Sequence, residues 1–342
     1  MKRVGNLYSK IYDIENIKLA HRNARKGKTF YKEVKMVDGD EELYCKKIAD
    51  MLITHTFVNS PYTEFTKVDK GKLRVIHKLP YYPDRIVHHA IMQILEPLWK
   101  KILIADTFQS IVGRGIHKGK SRIEPVIRSD EVKYCLKLDI KKFYPSVNNS
   151  ILKSVVRRKI KCIETLQILD LIIDSIQGLP IGNYLSQYFG NIYLSYFDHY
   201  IKEELRVKYY YRYCDDIVIL AKSKEELHSI LGLIRKYLKD KLKLEIKRDY
   251  QVFPISRGVD FLGFRFFNKY TLMRKSIATN LKRAVKKFVR CPEASAVRKL
   301  TSYYGWILAC DGINLWKHCI VTMAINTTNL LYNKNKVIRM YI

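Results

Sequence analysis

The spacing of apolar positions changes several times along the chain, and each change marks an element. Up to about Ser60 the period is mostly helical. Around Lys70–Lys78 it becomes two: a turn at Gly71, then a strand in which Leu73 and Val75 alternate with Lys72 and Arg74, so both cations project from one face. Pro80 and Pro83 break the chain, and Asp84 is expected to cap a helix carrying Ile86, Val87, Ala90, Ile91, Ile94, Leu95 and Leu98 at core spacing. His88 and His89 lie on that helix's flank as packing or surface residues. A short strand ends at Asp139, and the chain turns at Pro145 into a helix. The loop Gly178–Gln187 leads into a helix with Phe189, Ile192, Tyr193, Tyr196, Phe197, Tyr200 and Ile201 on one face. Two β-rich runs, Lys208–Tyr213 and Ile217–Leu220, flank Cys214-Asp215-Asp216 as a hairpin tip. Ser223-Lys224-Glu225-Glu226 is a capping box for the next helix. A strand is expected over Leu242–Lys247, and a strand or hairpin with a bulge at Gly263 over Asp260–Phe266. From about Thr279 the period is helical again. The class is α+β.

Composition narrows the partners. The chain has 342 residues, 47% of them hydrophobic, enough for one large core or two to three smaller ones. Its 63 Lys+Arg against 33 Asp+Glu give a net charge of +30, spread along the whole length. Such an excess costs self-repulsion and accompanies a polyanion. Nucleic acid is the first expectation; an anionic membrane surface ranks second, since no basic amphipathic anchor stands out. The 7 cysteines contain no C-x-x-C pair, which fits reduced thiols in a cytoplasm better than disulfides or zinc. The amino end lacks an apolar signal core, and no run nears the roughly 18 apolar residues of a membrane span.

The candidate chemistry lies in three acids. Asp215 and Asp216 sit at a tip that no Gly or Asn eases, so a strained turn is expected. Asp139 ends a separate strand. Paired Mg²⁺ ions need hard oxygen ligands from more than one segment, and such a pair clamps the attacking and leaving oxygens of phosphoryl transfer. Several other features admit a plain reading beside a functional one. The run Arg22, Arg25, Lys26, Lys28 grips phosphates or is a solvated helix end closed by Gly27. Lys72 and Arg74 hold a triphosphate or are an exposed strand face. The glycine-punctuated loop Gly113–Lys120, with Arg114 and Lys118, touches template phosphate or merely connects. Gly182 lets backbone approach a ligand closely, before a helix start that favours phosphate. Tyr144 stands under a sugar or in the core, and Trp306 stacks on nucleic acid or is core.

In series, these pieces resemble a reverse transcriptase. A basic strand precedes L-D-I-K-K-F-Y-P-S, then P-I-G-N-Y-L-S-Q and its helix, then Y-C-D-D, L-K-L-E-I-K and D-F-L-G-F, over about Asn6 to Trp306. The resemblance implies a right-hand polymerase fold with an N-terminal basic extension (1–60), fingers (61–133), a palm with antiparallel sheet (134–270, carrying a helical insertion at about 150–177) and a helical thumb (271–342). It implies RNA-directed DNA synthesis with two Mg²⁺, Mn²⁺ being possible. Asp139, Asp215 and Asp216 match the catalytic metal ligands, with the Ile140 carbonyl a further one. Lys247 matches the lysine that protonates the leaving pyrophosphate. Tyr144 matches the steric gate. Lys72 and Arg74 match the fingers cations, and Ile181, Gly182 and Gln187 the loop beside the nucleotide. Phe261, Leu262 and Gly263 match the primer grip.

One departure narrows the group. Most family members have Gln-Gly-x-x-x-Ser-Pro in the loop, whereas here Ile181-Gly182-Asn183-Tyr184-Leu185-Ser186-Gln187 stands. That form, and the run Ala24–Lys28, are similar to the enzymes of bacterial and phage diversity-generating retroelements. The resemblance then implies error-prone copying of a template RNA onto a primer from dNTPs, a small basic accessory protein, and a cytoplasmic location. Ile181 cannot hydrogen-bond beside the nascent pair, which weakens checking of its geometry. Cys214 within Y-x-D-D suggests thiol sensitivity. No H-N-H-like or Cys-rich segment follows Trp306, so targeting would come from other factors. A retron or antiphage-defence reverse transcriptase, and a catalytically silent RNA-binding protein with this fold, are the competing readings. All three acids and Lys247 are present, against the silent one.

Overall fold

Helices fill the amino-terminal region, as its apolar spacing predicts. The computed structural model describes residues 2–69, 71–291 and 293–327. It begins with α1 (Tyr8–Tyr12), α2 (Ile14–Ala24), α3 (Lys32–Gly39) and α4 (Glu41–Ile53). Asp13 starts α2 by accepting from the N–H groups of Glu15 and Asn16 at 3.0 and 3.2 Å, and Asp40 starts α4 in the same way through Leu43. The hairpin β1 (Thr63–Asp69) and β2 (Lys72–Lys78) follows, then α5 (Ile86–Lys100). Ile17 and Ala20 of α2 are fully buried, as are Val87, Ala90 and Ile91 of α5. The two helices pack against each other. Gln93 spans the contact, donating to Asn16 Oδ1 and accepting from Asn23, both at 2.8 Å.

Asp84 does not cap α5. It is fully buried in a π-turn before the helix, and its Oδ1 accepts the Ser60 N–H at 2.9 Å. A partly buried backbone donor outside the helix claimed the carboxylate. The basic loop is also shorter than expected. The helix α6 (Ile116–Arg128) takes up Ile116–Lys120, because Ile123 and Ile127 supply an apolar stripe that is fully buried.

Next come β3 (Tyr134–Asp139), α7 (Phe143–Ser146), and the pair α8 (Asn149–Arg157) and α9 (Ile163–Asp174). The expected single helix after Gly178–Gln187 is broken at Leu194 into α10 (Ser186–Tyr193) and α11 (Ser195–His199), continued by a π-turn. The tip hairpin is β4 (Tyr209–Tyr213) and β5 (Asp216–Ala221). Ser223 Oγ accepts the Glu226 N–H at 3.1 Å and opens α12 (Lys224–Leu242). No strand forms over Leu242–Lys247. The stripe Leu231, Ile234, Leu238, Leu242 keeps the chain helical to Leu242. Lys243 then turns at φ 53°, and only Ile246 pairs, in an isolated bridge with Ile140.

The chain ends, within the described residues, with β6 (Gln251–Pro254), β7 (Val259–Phe261), β8 (Phe264–Phe266), β9 (Thr271–Met273), α13 (Lys275–Arg290), α14 (Ala294–Leu308) and α15 (Ile313–Thr327). The bulge expected at Gly263 is a hairpin turn. Leu262 and Gly263 both have positive φ, 55° and 85°, the pattern of a tight two-residue connection. The sheets run β1-β2, β4-β5-β3-β6 and β7-β8-β9.

Two compact units divide the chain: Met1–Gly115 with Lys137–Ile217 and His228–Tyr250, and Ile116–Leu136 with Val218–Leu227 and Gln251–Ile342. The second has its own core of Met273, Leu281, Val285, Leu300 and Ile307, against which Trp306 packs. The core reading of Trp306 therefore holds.

Candidate active site

Alternation in β3 decides what meets the hairpin tip. Leu136 and Leu138 are buried on one face, which leaves Lys137 and Asp139 half-buried on the other, beyond the buried Cys135. The Ile140 N–H donates to the Asp215 carbonyl at 3.3 Å, tying the end of β3 to the turn between β4 and β5. On the other side the Lys247 N–H donates to the Asp139 carbonyl at 2.9 Å and the Lys141 N–H to the Glu245 carbonyl at 2.8 Å. These bonds bring Asp139, Asp215, Asp216 and Lys247 into one place. The Ile140 side chain is fully buried, so only its backbone faces chemistry.

Electrostatics at this place are tense. Burial, and then the charge of Asp139, hold the Asp215 carboxyl above the usual aspartate range. Asp139 is ion-paired with Lys247. Partial burial pulls the Lys247 ammonium down, but the hydrogen bond and charge of Asp139, with the charge of Asp215, outweigh it and raise the group. The Lys137 ammonium stands 3.4 Å from Asp216. Among the described residues no three His, Cys, Asp or Glu side chains already stand as a metal cage. The donor chemistry nonetheless fits a hard divalent cation: three carboxylates from two segments, one of them raised by burial and then by its neighbour, beside the ammonium groups of Lys137 and Lys247.

The tip is strained, as expected: Cys214 takes φ 57° without being glycine. Arg212 holds it there. Its Nη1 donates to the Cys214 carbonyl at 3.1 Å, while Nε and Nη2 grip Asp198 at 2.7 and 2.6 Å. Both side chains are fully buried, and Tyr210 donates to the same carboxylate at 2.6 Å. Sequence reasoning missed Arg212, Asp198 and Lys137. A lone cation inside Tyr209-Tyr210-Tyr211-Arg212-Tyr213 was the available signal, since an apolar strand keeps a charge only where a partner meets it. The Cys214 thiol is pushed up to about 12, by burial first and then by Asp215. A thiol raised in this way is a weaker nucleophile, which runs against the expected thiol sensitivity.

Tyr144 joins the group. Its hydroxyl lies 3.8 Å from Cys214 Sγ, and burial raises it well above the ordinary tyrosine range. Ile181 and Gly182 sit against β2, where the Ile181 carbonyl accepts the His77 N–H at 2.8 Å. Gly182 has φ 115°, and a Cβ there would lie 2.7 Å from the His77 carbonyl oxygen. The glycine thus serves a protein backbone contact rather than leaving room for a ligand. The helix start is at Ser186, four residues beyond it. Gln187 is exposed and accepts from Ser110 Oγ at 2.6 Å.

The remaining candidates divide. Arg74 is exposed on β2, paired in register with Lys67; the Lys72 side chain lies outside the described residues. Arg22 and Arg25 are engaged by acids, Glu41 at 3.6 Å and Asp38 at 2.6 Å. Lys26 donates to Asn23 at 2.8 Å. Arg114 donates to the carbonyls of Leu103 and Ile104 at 3.3 and 2.8 Å, so it braces its own loop. Lys118 is exposed, on α6 rather than in a loop. Phe261 and Leu262 are buried in the second unit, and a Cβ on Gly263 would lie 2.5 Å from Trp306. Their side chains cannot touch a primer; this turn offers backbone alone.

Known proteins add the family. YkfC of Escherichia coli (strain K12) is 23% identical over 246 residues, 58% of this chain and 64% of that protein. Telomerase from Candida tropicalis, in complex with a TWJ fragment of telomeric RNA, superimposes with a TM-score of 0.51 at 12% identity, over 83% of this chain and 58% of that one. The corresponding Candida albicans complex gives 0.50 at 10% identity, over 83% and 60%. The chain spans less than two thirds of each of these proteins. The likeness shows the fold, a mixed helix-and-sheet right-hand polymerase fold. Residues 65–266 match the reverse transcriptase (RNA-dependent DNA polymerase) family, and with well over half of its length matched the chain belongs to that family.

Proposed function

We propose that this chain is an RNA-directed DNA polymerase and that Asp139, Asp215, Asp216 and Lys247 are its catalytic groups. The observation that carries the reading is the tie between the end of β3 and the β4–β5 turn, which gathers three acids from two segments. Asp139, Asp215, Asp216 and the Ile140 carbonyl would hold Mg²⁺, or Mn²⁺. When bound, the ions supply charge stabilisation to the attacking and leaving oxygens of phosphoryl transfer. The chain's own groups do the rest. Lys247, kept protonated by Asp139, carries a proton toward the leaving pyrophosphate. Tyr144, packed beside Cys214, presents a ring face against the incoming sugar and sets which sugar fits. Arg74 and Lys72 draw the triphosphate to β2. In this reading 61–133 are fingers, 134–270 palm and 271–342 thumb, behind an extension over 1–60.

The finer reading is a diversity-generating enzyme that copies a template RNA with errors, assisted by a small basic accessory protein in a bacterial cytoplasm. The loop Ile181–Gln187 supports it. Among the described residues no helix is long and apolar enough to cross a membrane. The test is extension of a DNA primer on an RNA template with Mg²⁺ and the four dNTPs. Product complementary to the RNA is expected; absence of product with bound template would contradict the activity. Flanking DNA carrying a near-repeat that differs mainly at adenines would support the finer reading, and a structured RNA with an effector gene would replace it by a retron.

A further inference from the structure

The helical pair α8 and α9 is tied to the segment that carries Tyr144. Asn148 starts α8 by accepting the Ile151 N–H at 3.0 Å. Leu152 and Val156 of α8 are buried, as are Leu169, Ile172 and Ile173 of α9, and the two helices pack together. Asn149, the first residue of α8, is thereby held against the end of α9. Both ends of its side-chain amide are engaged. The Nδ2 donates to the carbonyls of Ile173 and Ile176 at 2.8 and 2.9 Å, groups that a helix end leaves open. The Oδ1 accepts the Gly178 N–H at 3.0 Å. The next donor along the chain, the Leu179 N–H, goes to the Tyr144 carbonyl at 2.8 Å. Gly178 has φ 80°, and a Cβ there would lie 2.8 Å from the carbonyl oxygens of both Tyr144 and Pro145. Backbone therefore lies directly on backbone at this point. At its other end Tyr144 meets the strained turn, hydroxyl to Cys214 Sγ at 3.8 Å.

We propose that Asn149 is a positioning residue for Tyr144, and that through Gly178 and Leu179 it sets how strongly a deoxyribonucleotide is preferred over a ribonucleotide. The inference rests on the polymerase reading, in which the Tyr144 ring faces the incoming sugar. The two sugars differ by one hydroxyl. A wall rejects one added atom only while it cannot recede, and a shift of about 1 Å is enough to make room. What stands behind the ring thus matters as much as the ring. The contact with Cys214 is a weak tie, because sulfur is a poor hydrogen-bonding partner. The firm tie is at the backbone, where Leu179 meets Tyr144. One amide bonded to three backbone groups fixes Gly178, and with it the peptide whose N–H reaches Tyr144. Capping of α9 accounts for the two Nδ2 bonds. It does not account for the Oδ1 bond, which goes to a residue beyond the helix.

The experiment is single-nucleotide extension of a DNA primer on an RNA template by the full chain, with dCTP and CTP as alternative substrates. Asn149→Ala removes all three bonds. Asn149→Asp keeps the acceptor for Gly178 and loses the two donations to the end of α9. Both variants are expected to lower the thermal midpoint. Only Asn149→Ala is expected to lower the ratio of kcat/KM for dCTP to that for CTP, by about tenfold, chiefly through better use of CTP. An unchanged ratio in Asn149→Ala, with both substrates losing equally, would overturn the proposal. So would equal shifts of the ratio in the two variants, because selection would then follow the stability of α9. Fluorotyrosine placed at position 144 gives a readout that needs no turnover. Its fluorine resonance should move in Asn149→Ala and hold in Asn149→Asp; a resonance unmoved in Asn149→Ala would overturn the positioning role whatever the kinetics. Failure of the polymerase reading looks different: the unaltered protein extends no primer with either substrate, while the resonance still moves.

Discussion

A carboxyl group half out of water beside another carboxylate binds its proton more tightly, and Asp215 is in that position next to Asp139. The acids themselves were legible in the sequence, because Y-C-D-D and L-D-I-K-K-F-Y-P-S are short and contiguous. The residue that braces the turn was not. Arg212 reaches Asp198 across 14 positions of sequence, and no local pattern announces that pairing. Arg212→Met should cost about 3–5 kcal/mol of stability, since Asp198 is left charged and buried; adding Asp198→Leu should recover most of it. Urea unfolding of the two variants measures this, and equal losses in single and double variants would contradict it. Ile181→Gln belongs at this scale too. On the proposed function, a hydrogen-bonding side chain at position 181 should lower misincorporation opposite template adenine. Sequencing cDNA from both proteins on one template checks it, and equal error spectra would refute the role given to Ile181.

Elements with long, strongly periodic stripes were readable: α5 and α12 stand where the apolar spacing puts them. Misreadings fell where tertiary contacts overrode local pattern. Asp84 was drawn to Ser60, and the stretch after Leu242 was left one bridge in place of a strand. At the β7–β8 turn the two positive φ values and the contact with Trp306 leave no space for a side chain. Gly263→Ala should therefore destabilise the second unit by about 2 kcal/mol, read as a lower midpoint in thermal unfolding. A neutral effect would mean that the turn can shift.

Helix α5 makes a pH prediction. His88 and His89 are pushed down to about 3, by burial first and then by neighbouring charge: His89 and Arg85 for the former, Arg85, Lys28 and Lys26 for the latter. Folded values below the ordinary 6.5 mean that the unfolded chain binds more protons. Their contribution is complete above pH 6.5 and is lost as pH falls toward 3, by about 1.4 kcal/mol per pH unit for each imidazole. His89→Phe keeps the stack on Tyr184, whose ring centroid lies 3.9 Å away, and removes one titration. Its thermal midpoint should drop less between pH 7 and pH 5 than that of the unaltered protein; identical drops would count against the burial account.

For the whole molecule, charge and fold point to one class of partner. A net +30 on a polymerase fold predicts RNA binding that weakens steeply with salt, because each phosphate contact releases counterions. Affinity that stays flat from low to moderate salt would contradict a charge-driven groove. The family was legible because its motifs recur in order, each short enough to survive wide divergence elsewhere.

The central claim is that Asp139, Asp215 and Asp216 act as one unit to hold divalent ions for nucleotide transfer. The measurement that tests it most directly is primer extension on an RNA template across a Mg²⁺ titration, comparing the unaltered protein with Asp215→Asn/Asp216→Asn. The account predicts a fall of about a thousandfold or more at every Mg²⁺ concentration, with RNA affinity retained. Extension that persists in the double variant would contradict it.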